Sequence, residues 1–483
     1  MKNASLSTLF IKALAVVCLA IVIPLSRSLA APLSLEAFLE QVKNQSPAIQ
    51  SSLQQIEGTA STAKEKDLLY IPRIFLNTTH TIDRREFPNA FFGGRTNSDN
   101  FNLGVEKVFS FGMNAKVGYT LFNNTTTNLP ALLFPNGINA YTQGLTQIDL
   151  NQSLWRNFLG RETRAQETLA EASSLSSHFS ERFKLKQTLA NAENAYYRAA
   201  VANESVKLET ELLDRSKKIL EWTHRRVQNH LTDKIDLLQA RANLQYRQIS
   251  LQSAIEEQRA ANLSMNQFRG LDSEEVPEEI SLLTPERILA ILPPRRAEAS
   301  DDVKAAQQGE RIVKANNELS LQKAQPDLSL YASAGYNGID RYLSPALRDS
   351  FTFSNYLYVF GVKFSFPIYF WETAEIRAGR VKQQLAAESS TRQKVLENNQ
   401  AWTDLTRKLS EAQNRLKMAG DLVEMQKEKL EYEKYRFNLG RTTTYQVLMF
   451  EQDYAQALIS RLRVEREILS LNSQIKTFAE EST

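Results

Sequence analysis

Two stretches decide the fold: VKLETELLDRSKKILEWTHRRVQNHL at residues 206–231 and LKMAGDLVEMQKEKLEYEKYRFNLGR at residues 416–441. In the first, Val206, Leu213, Leu220 and Val227 stand seven apart. In the second, at an offset of 210, Leu416, Val423, Leu430 and Phe437 do the same. An apolar residue every seventh position is the seam of helices packed lengthwise. Each series stops at a short polar turn, and a second helical pattern runs back. Leu237, Leu244 and Leu251 follow the first turn; Leu448, Ala455, Leu462 and Leu469 follow the second. Neither glycine nor proline interrupts the chain anywhere from Arg161 to Arg269. The chain therefore encodes two very long helical hairpins. At about 1.5 Å per residue a helix of roughly 70 residues is on the order of 100 Å long. That length suits a path across a periplasm and has little use in a compact enzyme core.

The 483 residues carry 58 Lys and Arg against 55 Asp and Glu, a formal charge of +3, with four histidines and one cysteine. Residues 1–30 have the order of a secretory signal peptide: Lys2 and Lys12, an apolar stretch from Ala13 to Leu25, then Ser28-Leu29-Ala30. The stretch is short of the roughly 20 residues that a spanning helix needs. Its removal takes away Lys2, Lys12 and Arg27 and no acid, so the expected mature chain is formally neutral. Export and neutrality together argue against nucleic acid as a partner. Cys18 lies inside the apolar run, so no disulfide framework or thiolate metal site is expected. Later in the chain no apolar stretch approaches the length of a spanning helix. A passage through lipid would have to be made by β-strands closed into a barrel.

Between the signal and the first long helix, Ile74, Leu76, Thr78, His80 and Ile82 alternate with polar residues as a half-exposed strand does. The sequence predicts a first repeat over 31–270: a helix, strands at 73–83 and within 101–154, a long helix over 156–228, a tip turn at 229–232 and a return helix over 233–270. Residues 84–100, with Phe91-Phe92-Gly93-Gly94, and 123–140 read as loops. A proline-bearing linker, 271–300, leads to a second repeat over 301–483. It comprises a helix (301–325), strands (327–337 and 351–366), a long helix (371–438), a tip turn (439–441) and a return helix (442–478). Leu328, Leu330, Ala332, Ala334 and Tyr336 match the first strand at an offset of 254.

Each half supplies two clear strands, and four strands cannot close a barrel around water. Three copies would give twelve, so a homotrimer in outer-membrane lipid is expected. The alternating segments Phe101, Leu103, Val105 and Ala115, Val117, Tyr119, Leu121 complicate the count. They either add a membrane hairpin or extend one above the membrane, and the second is the expectation. The expected fold is a mixed α and β membrane protein. A trimeric β-barrel of about four strands per chain, or six, is continued by a long antiparallel α-helical coiled-coil barrel with two internal repeats.

Arg436-Phe437-Asn438-Leu439-Gly440, followed by Thr444 and Val447-Leu448, resembles the tip motif of the TolC family of trimeric outer-membrane efflux ducts. Arg226-Val227-Gln228-Asn229-His230-Leu231 with Asp236-Leu237-Leu238 is similar, and Phe366-Pro367-Ile368-Tyr369 resembles the family's strand-to-helix corner. The likeness covers essentially the whole mature chain. It departs at His230, where the family has glycine, at Gln446, where it has an acid, and at Ser153, where it has proline. The resemblance implies passive export, with energy from an inner-membrane pump and a periplasmic adaptor (membrane fusion) protein. It makes the tip turns, Asn229, His230, Leu231, Thr232, Asn438, Leu439, Gly440, Arg441 and Thr442, candidates for adaptor docking rather than plain turns. It also makes Asp236 and Arg441 a candidate gate pair; otherwise they are two solvated charges.

Opposite the seams, Glu211, Asp214 and Glu221 and then Asp421, Glu424, Glu428 and Glu431 form acidic stripes on wet positions. In the lumen they would favour cations; on the outside they are an ordinary solvated face. The four histidines have no metal-ligand spacing, adjacent acids such as Glu256-Glu257 do not face one another, and no nucleophile elbow or phosphate loop is present. Neither catalysis nor a cofactor is expected. The rival readings are a periplasmic tethering coiled coil without a pore and the adaptor itself. The strands argue against the first and the doubled hairpin against the second.

Overall fold

The computed structural model describes residues 33–85, 95–129, 139–280, 282–352, 354–366, 368 and 370–480. The expected signal peptide, the Phe91–Gly94 loop, and Pro367 and Tyr369 of the second corner lie outside them. The chain divides into two units. One takes residues up to Gln50 with 187–294 and 405–477; the other takes 51–186, 295–404 and the end of the chain.

The elements, in order, begin with α1 (Leu35–Gln45) and α2 (Pro47–Thr62), separated where Pro47 cannot continue the ladder of α1. Strands β1 (Arg73–Asp83), β2 (Arg95–Val108), β3 (Met113–Thr127) and β4 (Asn139–Ser153) lead into α3 (Arg161–Gln228) and α4 (Lys234–Phe268). After the short α5 (Pro285–Leu289) come α6 (Asp301–Lys323), β5 (Asp327–Asp340), α7 (Leu343–Asp349), β6 (Tyr356–Ser365), α8 (Phe370–Asn438) and α9 (Thr444–Lys476). The two long helices have 68 and 69 residues. Among the described residues no helix is long and apolar enough to cross a membrane.

The sheet unit holds all six strands in the order β1-β2-β3-β4-β5-β6, every neighbour antiparallel. This corrects the expectation for the 101–121 segments. They do not project from a hairpin; β2 and β3 are paired along their lengths between β1 and β4. They also run further than read, taking Arg95–Asn100 and Asn123–Thr127 from the expected loops. These ends are polar on both faces, so they carry no alternation to read.

The first long helix starts at Arg161 rather than 156. Leu159 (φ 51°) and Gly160 (φ 76°) turn the chain left-handed just before it, and Asn157 Oδ1 accepts from the amides of Glu162 (2.9 Å) and Thr163 (3.3 Å), capping the first turn. Ser153, the departure from proline, has its own task here: its hydroxyl accepts from the Asn157 amide at 3.0 Å. The β2–β3 turn is seated against this corner. A Cβ on Gly160 would collide with the Ser110 carbonyl, and one on Gly112 (φ 86°) would meet the Asn157 carbonyl.

The helical unit is built around a continuous apolar seam. Leu416, Val423, Leu430 and Phe437 of α8 are buried, with Leu448 and Leu469 of α9. Phe38 of α1 packs on Tyr196 of α3 (ring centres 5.5 Å), and the Tyr196 hydroxyl donates to the Leu33 carbonyl at 2.7 Å. The matching α3 series Val206, Leu213, Leu220 and Val227 is only half-buried, and the deepest α3 positions nearby are Leu212, Ser216 and Thr223.

Candidate functional site

Both hairpin tips lie in the helical unit and close in the same way. At the end of α3 the His230 amide donates to the Val227 carbonyl (3.1 Å) and the Leu231 amide to Arg226 (2.9 Å). At the end of α8 the Gly440 amide donates to Phe437 (3.0 Å) and the Arg441 amide to Arg436 (2.9 Å). This double bond is the Schellman motif, which satisfies the last carbonyls of a helix and needs one left-handed residue. His230 (φ 59°) and Gly440 (φ 73°) take that place. In each turn the arginine two places before the helix end reaches forward: Arg226 Nη2 donates to the Leu231 carbonyl at 3.3 Å and Arg436 Nη2 to the Arg441 carbonyl at 3.4 Å. Asn229, His230, Leu231, Asn438, Leu439, Gly440 and Arg441 are exposed, and Thr232 and Thr442 half-buried.

The turns hand over to the return helices through hydroxyls. Thr232 donates to the Asp236 carboxylate, and Thr442 bonds to Glu433 and Gln446. The Thr443 hydroxyl accepts from the Gln446 amide at 3.4 Å as the N-cap of α9. Asp236 and Arg441 are not brought together within the chain. Asp236 is occupied by Thr232, and among the described residues the Arg441 side chain has no ion-pair partner.

The ties between one hairpin and the other use Phe437 and Arg226 of the tip motifs together with Trp222, Arg215 and Glu451, which the motif comparison did not single out. Trp222 of α3 lies on Phe437 of α8, ring centres 3.8 Å apart, and the Arg226 guanidinium is 4.6 Å from the Trp222 centre and 5.6 Å from Phe437. Further from the tips, Glu451 of α9 is buried and pairs with Arg215 of α3 (3.3 Å) and Lys434 of α8 (3.0 Å). Glu433 pairs with Arg436 at 3.2 Å, Glu209 with Arg247 at 3.8 Å, and Glu465 with Arg461 at 3.2 Å. Burial pushes the Glu209 and Glu465 carboxyls above their ordinary range despite those arginines. These acids stand three residues after an apolar seam residue: Glu209 after Val206, Glu433 after Leu430, Glu451 after Leu448 and Glu465 after Leu462. That is the second core position of a heptad, so an acid there was the available signal.

The acidic stripes differ between halves. All seven acids are exposed. Glu211 pairs with Arg215 (3.5 Å) and Asp214 with Lys218 (2.6 Å), whose ammonium holds the Asp214 carboxyl below its usual range. Among the described residues no ion pair engages Glu221, Asp421, Glu424, Glu428 or Glu431.

The long helices and the six-stranded antiparallel sheet can be compared with known folds. Residues 292–477 match the family described as outer membrane efflux protein. No curated protein matches the sequence. Among solved structures, the chain superimposes on the Vibrio cholerae outer-membrane protein VceC with TM-score 0.65 at 15% identity, covering 92% of this chain and 97% of that one. For CusC the TM-score is 0.66 at 11% identity, with 94% of each chain covered. For the outer-membrane channel OprN it is 0.64 at 15% identity, covering 92% and 90%. The family match is confined to residues 292–477, and the likeness of fold extends over more than nine-tenths of the chain. The chain has the fold of these outer-membrane channels, and its residues 292–477 carry the pattern of the outer membrane efflux protein family.

Proposed function

We propose that three copies of this chain close their sheets into one membrane barrel and together form the outer-membrane duct of a tripartite efflux or type I secretion system. The periplasmic adaptor of an inner-membrane pump docks on the paired tips. The observation that carries the proposal is the open sheet. Its edge strands β1 and β6 expose apolar side chains, among them Ile74 and Leu76 and then Phe360 (80% exposed) and Val362. Backbone groups on a sheet edge cannot remain unpaired in lipid. Pairing β1 of one copy with β6 of the next satisfies both edges at once. The helical unit supports the same reading, because Leu238 and Ile249 of α4 and Leu422 and Tyr435 of α8 are exposed in the single chain. The conduit is passive. Arg441 of one copy would pair with Asp236 of another as a gate, drawing that carboxylate from Thr232, and the unpaired acids of α8 would favour cations if they line the lumen.

The test is the protein mass of the detergent-extracted outer-membrane particle by light scattering. The full chain weighs 54.9 kDa. Three mature copies would give roughly 150–160 kDa, and a monomer in the soluble periplasmic fraction would defeat the shared barrel.

A further inference from the structure

We propose that the β2–β3 hairpin is part of the membrane wall, so that each chain contributes six strands and the barrel has eighteen rather than the twelve that four strands per chain would give. The inference rests on the trimeric reading above and deepens it. Its first support is register. One row of directly opposed residues runs Ile74, Val105, Val117, Ile148, Ala334, Tyr358 across all six strands, and the next row on that face runs Leu76, Leu103, Tyr119, Thr146, Tyr336, Tyr356. The hairpin thus puts its apolar residues on the same face and at the same height as β1 and β4–β6. Leu103 (53% exposed) and Val117 (50%) are as uncovered as Ile148 of β4 (46%), while Tyr119 is half-buried against Phe351. In water such a face would be a liability, and against acyl chains it is the expected outer band.

The opposite face carries most of the polar residues of the same strands, with Phe75, Phe122 and Leu145 among them. The row Arg73, Glu106, Lys116, Asp149, Ser333 alternates in charge, and Asn77, Asn102 and Thr120 form another. Polar inside and apolar outside is the two-sided pattern of a membrane strand. The hairpin is also built in at both flanks. Phe75 of β1 lies over Gly104 and close to Gly118, so that a Cβ on Gly104 would strike its ring, and Lys116 sits 4.4 Å from the ring centre. Because β2 and β3 separate β1 from β4, no barrel containing β1 can be closed through this sheet without them.

Two measurements on the reconstituted trimer test this. In end-on electron-microscope projections an eighteen-strand wall has a backbone diameter of about 35 Å and a twelve-strand wall about 24 Å, from the usual strand spacing and tilt. A wall of the narrower diameter overturns the proposal. For the second, Cys18 is replaced by serine and single cysteines are placed by L103C and V117C on the apolar face and N102C and T120C on the polar face. I148C serves as the β4 reference. Bimane on L103C and V117C should be quenched by brominated phosphatidylcholine as strongly as bimane on I148C. N102C and T120C should react with a water-soluble methanethiosulfonate at least about tenfold faster than those three. Quenching at I148C alone, with L103C and V117C reacting as fast as N102C, would place the hairpin outside the membrane and leave the trimeric barrel standing. A particle of three chains' mass with no quenching even at I148C would instead sink the shared membrane barrel itself.

Discussion

The two tip turns share one hydrogen-bond frame and differ in the residue that must go left-handed. The α3 tip uses His230 and the α8 tip uses Gly440, at φ values of 59° and 73°. The same bonds reach back to Arg226 and Arg436, and the same arginines reach forward. What the comparison teaches is that the frame is set by helix-end carbonyls seeking donors, while the residue at the turn sets only its cost. The sharpest way to break it is Gly440→Pro. The proline ring locks φ at a negative value and removes the amide that bonds Phe437, so the α8 tip must unwind. The expected outcome is loss of export in a complementation assay with trimer mass unchanged. Full export by such a trimer would show that the α8 turn has no part in docking.

A second contrast lies further up the hairpins. The return helix α9 buries Glu451 against Arg215 and Lys434, whereas Arg241, the residue 210 places earlier on α4, is exposed. Glu451 is thus the tie that belongs to one hairpin and holds the other. Charge-assisted bonds are worth about 1.5–3 kcal/mol, and the two cations keep about a third of their side-chain surface in water, which discounts the loss when the acid goes. Glu451→Ala is expected to cost about 2 kcal/mol and to open the tips to limited trypsin digestion. Asp453→Asn removes an exposed pair with Lys429 (3.4 Å) and should cost under about 1 kcal/mol. Equal protection from trypsin in both variants would remove Glu451 from the role of a tie.

Much of this was legible in the residues. Heptad spacing and the absence of glycine and proline marked the long helices, and the apolar alternation of 74–82 and 328–336 marked their strands. The hairpin at 95–127 was harder to place. A strand pattern states which face is apolar but not which strand is the neighbour, and only the register sets β2 and β3 between β1 and β4. The helix start was displaced because Leu159 adopts a left-handed conformation that its side chain does not advertise. At the site, the tip turns could be found from their short polar sequences, the second with a glycine, but Glu451 could not be recognised as a tie. An acid at a core heptad position says that it is buried, and one of its partners, Arg215, comes from the other hairpin, 236 residues away in sequence.

The smallest expected effect returns to the turns and tests the idea that the turn residue sets only a cost. A left-handed conformation costs a residue with a Cβ roughly 1–2 kcal/mol, and glycine's greater freedom in the unfolded chain offsets part of that when it is introduced. His230→Gly should therefore stabilise by about 0.5–1 kcal/mol. Gly440→Ala should destabilise by about 1 kcal/mol, and by strain alone, since no atom lies within 4 Å of where its Cβ would be. Opposite signs in the thermal melting of the two variants would make the tips equivalent frames with different occupants. Were His230→Gly to lower the melting temperature instead, the imidazole would have to be holding something beyond its own chain. The first tip would then be a contact made by its side chain as well as a turn made by its backbone.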